Sequence, residues 1–409
     1  MPVTDIDLQS VNLLDPDLFV DGPPHELFAR MRAECPVRWN PTEEGEGFWS
    51  VTKAGDIELV SKDVERFSSA RESVWPNERV APMPKDVVRA TMLGMDPPQH
   101  TKYRGIVQKV FTVRTVAVLE DAVRERVTRL IDDVCERGEC DFVKDIATEL
   151  PLQTIATMLG VPLEDRARLF EWTLRIERAG TEGTDDGLVA FGEMAQYLVG
   201  LVEDRKANPR DDLITALINA ELDGEKLNDL ELTAFFGILM FAGSDTTRNT
   251  SSGALLELLR QADQWEALRA ATDLRGAVEE FIRWVSPINY FRRTPTEDVE
   301  IRGVEIKEGD AVVLWYASGS RDEELVDDPM RFDVTREEVR HQAFGGGGRH
   351  FCIGNQLARL QLRVLFEELT RRLPDIELAG EPERTRSSWI NGLNSLPVRF
   401  TPTAREAGR

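Results

Sequence analysis

Apolar positions recur at helical spacing through the middle of the chain and at strand spacing nearer its ends. From residue 99 to about 285 the sequence reads as nearly continuous helix. Across 116–136, Val116, Leu119, Val123, Val127, Leu130, Ile131 and Val134 share one face, so this stretch predicts an amphipathic helix. Residues 150–159 are apolar enough to be buried. Two further helices, 169–183 and 188–204, are joined by an acidic, glycine-containing connector at 180–187. Asp229–Arg260 predicts one helix about 48 Å long at 1.5 Å per residue. Its middle is apolar on every side, so it is expected to run through the core.

After Pro287 the period shortens, and strands are predicted at 288–292, 299–302, 311–315, 388–391 and 397–401. The N-terminal part adds a helix at 24–32 and a strand at 48–52. Residues 67–94 are irregular, with Pro76, Pro82 and Pro84 among scattered Trp75, Met83 and Met92. Loops that long are usually functional or mobile. A turn-rich stretch from 322 to 342 precedes a last helix that begins at Asn355. No linker, low-complexity run or repeat divides the sequence. The expected fold is mainly α with minor β, in a single domain spanning 1–409.

A hydrophobic content of 41% is ample for a large core. The longest notable apolar run, 235–242, is too short to span a bilayer. The first residues are acidic and lack the basic and apolar regions of a signal peptide. No membrane anchor is expected, and the reading is a soluble, cytoplasmic protein. A formal net charge of −23 argues against nucleic acid and anionic membranes as partners. The cysteines, Cys35, Cys135, Cys140 and Cys352, have no CxxC spacing and read as free thiols of a reducing compartment.

Chemistry concentrates at 344–354: Phe344, four glycines, Arg349, His350, Phe351, Cys352, Ile353 and Gly354. Cys352 thus sits where a glycine-rich loop feeds a helix N-terminus. The helix end and the nearby cations are expected to favour its thiolate. Glycines clear side chains away from a flat ligand and allow the positive φ of a tight loop. One thiolate is too few for a structural zinc or an iron–sulfur cluster, but it suffices for a heme, whose ring supplies the other donors. The plainer alternative is a buried, inert thiol. The stretch resembles the heme loop of cytochrome P450 monooxygenases: Phe, two residues, Gly, one residue, Arg or His, one residue, Cys, one residue, Gly. It departs by one position, since Phe344 lies eight residues before Cys352 where the common pattern has seven. The loop carries an extra glycine, and His350 takes the basic position instead of Arg349. A bacterial subgroup with the same long loop oxidises sterol side chains and methyl-branched lipids.

Four more motifs extend the resemblance over nearly the whole chain. Ala242-Gly243-Ser244-Asp245-Thr246-Thr247 places Gly, Asp and Thr in mid-helix, where they are unfavourable. The plain reading is a kink with a back-bonding threonine. The resemblance implies an oxygen-activation motif, with Asp245 relaying protons, Thr246 bonding the oxygen, and Ala242 and Gly243 keeping the distal face open. Glu280 and Arg283 are spaced for one helical face, as in any surface ion pair. With Arg331 in Pro329-Met330-Arg331-Phe332, they resemble the family's buried Glu–Arg–Arg scaffold. His100 and Arg104, one turn apart, with Arg293 and His350, match the family's partners for the two heme propionates. Two of the four histidines fall at these positions.

The resemblance therefore implies heme b (iron protoporphyrin IX) ligated through Cys352 and bounded by Phe344, Gly354 and Ala242. It implies hydroxylation of an apolar small molecule (a sterol side chain, terpenoid or branched lipid) with O2, by a monomer. No GxGxxG follows a strand, so electrons are expected from a separate ferredoxin with its reductase. Arg104, Lys109, Arg114, Arg349, Arg359 and Arg363 would offer it local positive charge. By the same resemblance, the 75–94 loop, the connector in the 170s to 180s, Phe241, Ala242, 288–291 and 391–393 would line the substrate pocket, although ordinary core packing is the better account of each single aromatic there. Competing functions are a peroxide-driven peroxygenase, a non-catalytic heme-thiolate sensor, and a biosynthetic or xenobiotic-degrading P450 acting on an aromatic or polyketide-like substrate.

Overall fold

The Asp229–Arg260 helix forms with the predicted bounds in the computed structural model. The structure describes residues 7–8, 10–42, 47–77, 81, 85–182, 184, 186–210, 212–222 and 224–406. Pro82, Met83 and Pro84 of the long loop, and Gly183 and Asp185 of the connector, lie outside the described residues. A capping box starts the long helix: Asn228 Oδ1 accepts from the Glu231 N–H at 3.0 Å, and Glu231 Oε2 accepts from the Asn228 N–H at 2.8 Å. Its polar middle tolerates burial because its hydroxyls bond to their own helix. Ser244, Thr246, Thr250 and Ser252 donate to the carbonyls of Met240, Ala242, Thr246 and Arg248 at 2.7–2.9 Å.

Other helices wrap this axis. Glu149–Leu159, Asp186–Ala207 and Arg275–Val285 pack directly on it, and the Asn355–Arg372 helix lies between Glu120–Cys135 and Arg275–Val285. Their buried faces join in one large core. The helix expected at 116–136 begins at Glu120, after a separate short turn of helix, Val113–Ala117. The two helices expected at 169–183 and 188–204 form as Arg166–Glu182 and Asp186–Ala207, and they pack against each other.

The main sheet draws from both ends of the chain. Its strands are β1 (Val37–Asn40), β2 (Phe48–Val51), β3 (Phe67–Ser68), β4 (Tyr290–Pro295) and β5 (Val312–Trp315), in the order β1-β2-β5-β4-β3. β2 and β5 run parallel, and the other neighbours are antiparallel. The strand expected at 288–292 starts only at Tyr290. The one expected at 388–391 is reduced to a single bridge between Ile390 and Ile288, and Leu393–Ser395 forms the strand instead. The aromatic side chains there pack into a cluster instead of extending a ladder. Trp75, fully buried, meets Trp389 edge-on at 5.2 Å, and Phe241 stacks on Trp389 at 5.8 Å.

Candidate active site

The cysteine loop is closed by backbone. The Cys352 N–H donates to the Phe344 carbonyl at 2.9 Å, and the Gly345 N–H donates to Gln342 O at 2.8 Å. Between them Gly345, Gly346, Gly347 and Gly348 all have positive φ, from 71° to 99°. An L side chain would be strained at each. Two of the glycines also touch a helix absent from the sequence reading, Ala54–Lys62. A Cβ on Gly346 would fall 2.6 Å from Ser61 Oγ, and one on Gly348 would fall 2.1 Å from the Ser61 carbonyl oxygen. Phe344 packs edge-on to Phe351 at 5.9 Å, and the Arg359 guanidinium lies 4.6 Å from the Phe344 ring centre. Gly354 caps the following helix, and a Cβ there would meet no protein atom within 4 Å.

Burial pushes the Cys352 thiol above its usual range; the Gly354 N–H, Arg104 and Arg359 pull it down without prevailing. This corrects the expectation of a thiolate favoured by the helix end and nearby cations. Desolvation of the charged sulfur outweighs both. A coordinated metal would reverse the balance, because coordination deprotonates a thiol outright.

His100, Arg104, Arg293 and His350 do converge. The His100 and His350 rings lie 4.2 Å apart between centres. Arg104 donates to the Phe351 carbonyl at 2.7 Å, which ties the Gln99–Gln108 helix to the cysteine loop. Burial, then Arg104, lowers His100 to about 4; burial, Arg293, His100 and Arg104 hold His350 well below its usual value. Both imidazoles are therefore neutral near pH 7 as they stand, and the charge of the cluster comes from its arginines. Among the described residues neither Arg104 nor Arg293 forms an ion pair, although the Asp96 carboxylate does act on His100, and the buried His100 Nδ1 has no hydrogen-bond partner. Sequence reasoning missed Ser69, whose Oγ lies 3.2 Å from His350 Nε2, and Asp96, which accepts from the Ser69 N–H at 2.7 Å. No motif marks a serine placed by tertiary packing.

The Ala242–Thr246 stretch stands apart from these contacts, on the central helix. Between Leu232 and Leu255 only Ile238, Ala242, Gly243, Thr246 and Gly253 are less than buried, and Ala242 is exposed. Spacing of four puts Ile238, Ala242 and Thr246 on one face, less covered than the rest of the helix middle and exposed at Ala242. Gly243 points elsewhere: a Cβ there would lie 3.1 Å from Ile155 Cγ1, so it serves close helix packing and not an open face. Asp245 is buried, with Oδ1 3.5 Å from Arg248 Nη1.

The scaffold needs a second correction. Glu280 and Arg283 are both fully buried and bonded as a fork at 2.6 and 2.8 Å. Arg331 is not the third member. Its side chain is 60% exposed and faces Asp333 at 3.6 Å. Arg336, largely buried, approaches Glu280 at 3.5 Å instead. Arg331 contributes only its carbonyl, which accepts from Arg283 at 3.1 Å. Arg359 and Arg363 are likewise compensated, by Glu279 and by Glu120 and Glu367 respectively. Lys109, Arg114 and Arg349 remain exposed.

These residues fit a heme. There is one thiol donor at the loop, two arginines in no ion pair among the described residues, a buried imidazole nitrogen without a hydrogen-bond partner, and a helix face only partly covered. Such a donor set defines a heme-thiolate protein. A family model for cytochrome P450 matches residues 187–274 and 260–373. A steroid C26-monooxygenase of Mycobacterium tuberculosis is 37% identical over 400 residues, 95% of this chain and 92% of that protein. A methyl-branched lipid omega-hydroxylase of the same organism is 38% identical over 422 residues, covering 98% and 96%. Among solved structures, a Mycobacterium marinum cytochrome P450 in complex with pseudoionone has a TM-score of 0.88 at 36% identity, covering 98% of this chain and 99% of its own. The chain belongs to the cytochrome P450 family. It is a monooxygenase that uses O2, with heme b as its cofactor. Among the described residues no helix is long and apolar enough to cross a membrane.

Proposed function

We propose that this monooxygenase hydroxylates an unactivated C–H bond of an apolar lipid: a sterol side chain, a terpenoid or a methyl-branched chain. The relatives named above act on the first and last of these classes. The aromatic cluster of Trp75, Phe241, Phe291 and Trp389 offers an apolar wall, with ring centres 5.2–6.1 Å apart. Heme held by a thiolate would supply the O2 chemistry, with electrons from an external donor.

The chain's own residues do the rest. Cys352 would hold the iron through Sγ, on a loop anchored at Phe344 and Gly354. Arg104 and Arg293 balance the two propionates, with His100 and His350 donating hydrogen bonds to them. Ala242 leaves room for O2 beside the helix. Thr246 Oγ is the last protein atom on the proton route, and it keeps its place through its bond to the Ala242 carbonyl. Asp245 resupplies that route. Electrons come from a ferredoxin and its reductase, docking near Lys109, Arg114 and Arg349. The protein acts as a cytoplasmic monomer, folded as one domain.

The convergence of Arg104, Arg293, His100 and His350 on the cysteine loop, with neither arginine in an ion pair among the described residues, carries this reading. The test is spectroscopic. The reduced, CO-bound protein should absorb at the position of thiolate-ligated heme, and a panel of sterols and branched lipids should shift the Soret band. An imidazole-type CO spectrum would overturn Cys352 as ligand. A panel in which only small aromatic compounds bind would overturn the lipid substrate.

A further inference from the structure

We propose that Glu279 is a positioning residue for the cysteine ligand, acting on Cys352 through Arg359 and Asn355, and that it helps to set the reduction potential of the bound heme. This rests on the reading of Cys352 as the heme ligand. Glu279 and Glu280 are neighbours on the Arg275–Val285 helix, but they do different things. Glu280 faces Arg283 in the core, whereas Glu279 reaches the cysteine loop and the helix that follows it.

The two Glu279 oxygens take donors from both of those segments. Arg359 Nε donates to Oε1 at 2.5 Å and Arg359 Nη2 donates to Oε2 at 2.9 Å, which makes a fork. His341 Nε2 lies 3.1 Å from Oε2, and an ionised carboxylate only accepts, so that nitrogen carries the hydrogen. These two donors flank Phe344. The Arg359 guanidinium lies 4.6 Å from the Phe344 ring centre, and the His341 ring lies 5.4 Å from it. Phe344 in turn holds the Cys352 N–H through its carbonyl at 2.9 Å. One carboxylate therefore fixes both neighbours of the residue that closes the loop.

The same guanidinium reaches the cysteine by a second route. Arg359 Nη1 donates to Asn355 Oδ1 at 2.7 Å, and Asn355 Nδ2 donates to the Cys352 carbonyl at 2.7 Å. The arginine only donates, so it fixes which amide atom is oxygen. Asn355 and Arg359 are four apart on one helix, so the path is one turn long. The Glu279 and Arg359 side chains are 25% and 28% exposed, so water weakens the fork only in part. The charge of Arg359 also bears on the Cys352 sulfur. A reduced heme–thiolate carries one more negative charge than the oxidised form. A cation near the sulfur therefore favours reduction, and a cation pinned and countered by a carboxylate favours it less. Removing the Glu279 charge should raise the potential.

The experiment is a redox titration of the holoenzyme, with the CO-bound spectrum as the check on ligation. Glu279→Gln should favour the reduced form roughly three- to tenfold, an upward shift of about 30–60 mV for one electron. Arg359→Lys keeps every charge but cannot hold Glu279 and Asn355 together with a fork, so it should move the potential too. In an Arg359→Gln background, Glu279→Gln should shift the potential by less than half as much. A carboxylate that only supports the fold would lower stability and leave the potential where it is. Wild-type potentials in both Glu279→Gln and Arg359→Lys overturn the proposal. So does an unmoved Arg359→Lys beside a shifted Glu279→Gln, or an undiminished shift in the Arg359→Gln background, since each leaves Glu279 acting as a bare charge. If Glu279→Gln retains no heme, Arg359→Lys decides alone. An imidazole-type CO spectrum in the unmodified protein overturns Cys352 as ligand and the proposal with it; a thiolate-type spectrum with unmoved potentials sinks the proposal only.

Discussion

Replacing Glu280 with alanine should leave a protein that folds poorly around its cysteine loop and fails to retain heme. Glu280 and Arg283 have no exposed side-chain surface. Arg283 donates to both Glu280 oxygens, and also to the carbonyls of Ser320, Pro329 and Arg331 at 3.3, 2.9 and 3.1 Å. Glu280 accepts in addition from the Asp333 N–H at 2.8 Å. Removing it strands a buried guanidinium, which costs about 3–5 kcal/mol. That is a fifth or more of a typical domain's stability of about 5–15 kcal/mol. The loss is local first, because those carbonyls lie on the segment that leads into the cysteine loop. Gln342, whose N–H donates to Ser320 Oγ at 3.1 Å, links the two. Arg336→Ala should cost less, about 1–3 kcal/mol, since its bonds to the Asp327, Asp328 and Arg331 carbonyls at 2.7–2.9 Å are lost along with a 3.5 Å ion pair. Arg331→Ala should stay within about 0.5 kcal/mol, as its side chain is 60% exposed. Heme content per chain and urea unfolding measure the series. Full heme content in Glu280→Ala, or equal damage from Arg331→Ala and Arg336→Ala, would refute the reasoning.

The glycine run makes a graded prediction. Gly347→Ala should cost only the left-handed backbone, about 1–2 kcal/mol, because its nearest contact is Lys62 Cε at 3.6 Å. Gly348→Ala should cost more and speed heme loss, since its Cβ would meet the Ser61 carbonyl oxygen at 2.1 Å; equal melting temperatures for the two would contradict this. Glu279 gives a pH dependence. Burial would raise its carboxyl, but hydrogen bonds from His341 and Arg359 hold it down at about 2, against 4.5 ordinarily. A lowered folded value means that its stabilisation is complete above about 4.5 and fades as pH falls toward 2. Allowing for its partial exposure, Glu279→Gln should cost about 1–2 kcal/mol at pH 7 and distinctly less at pH 3.5. An equal cost at both, by urea unfolding, would show that the ionised carboxylate is not what matters.

What was legible in the sequence was whatever depends on local order. The Asp229–Arg260 helix could be read because its cap and its apolar run lie in one window. The cysteine loop and the Glu280–Arg283 pair were legible as spacing. What failed depends on chain segments far apart in sequence. Arg331 and Arg336 are five positions apart on one irregular stretch, and no periodicity says which turns inward. The charge on Arg359 and Arg363 is plain in the sequence, but its cancellation by Glu279 and Glu120 is tertiary. The strand expected at 388–391 had the right residues, yet Trp389 found aromatic partners from three distant segments, and the ladder gave way to packing.

The glycine run shows why a spacing rule can be broken without harm. The family resemblance places Phe seven residues before the cysteine, and here the interval is eight. Yet the Phe344 carbonyl still accepts from the Cys352 N–H at 2.9 Å, so the hydrogen bond that closes the loop survives the insertion. The added residue is taken up in the bulge, where four successive positive φ angles turn the backbone tightly enough to return to register. The bulge is not idle, because it lies against Ser61 and Lys62 at the end of the Ala54–Lys62 helix. A longer loop would ordinarily gain freedom, and each doubling of length costs about 0.6 kcal/mol in closure entropy. Seating the bulge on a helix offsets that cost with contact that only glycine permits. The quantity preserved is therefore the Phe344–Cys352 closure and not the count of residues within it.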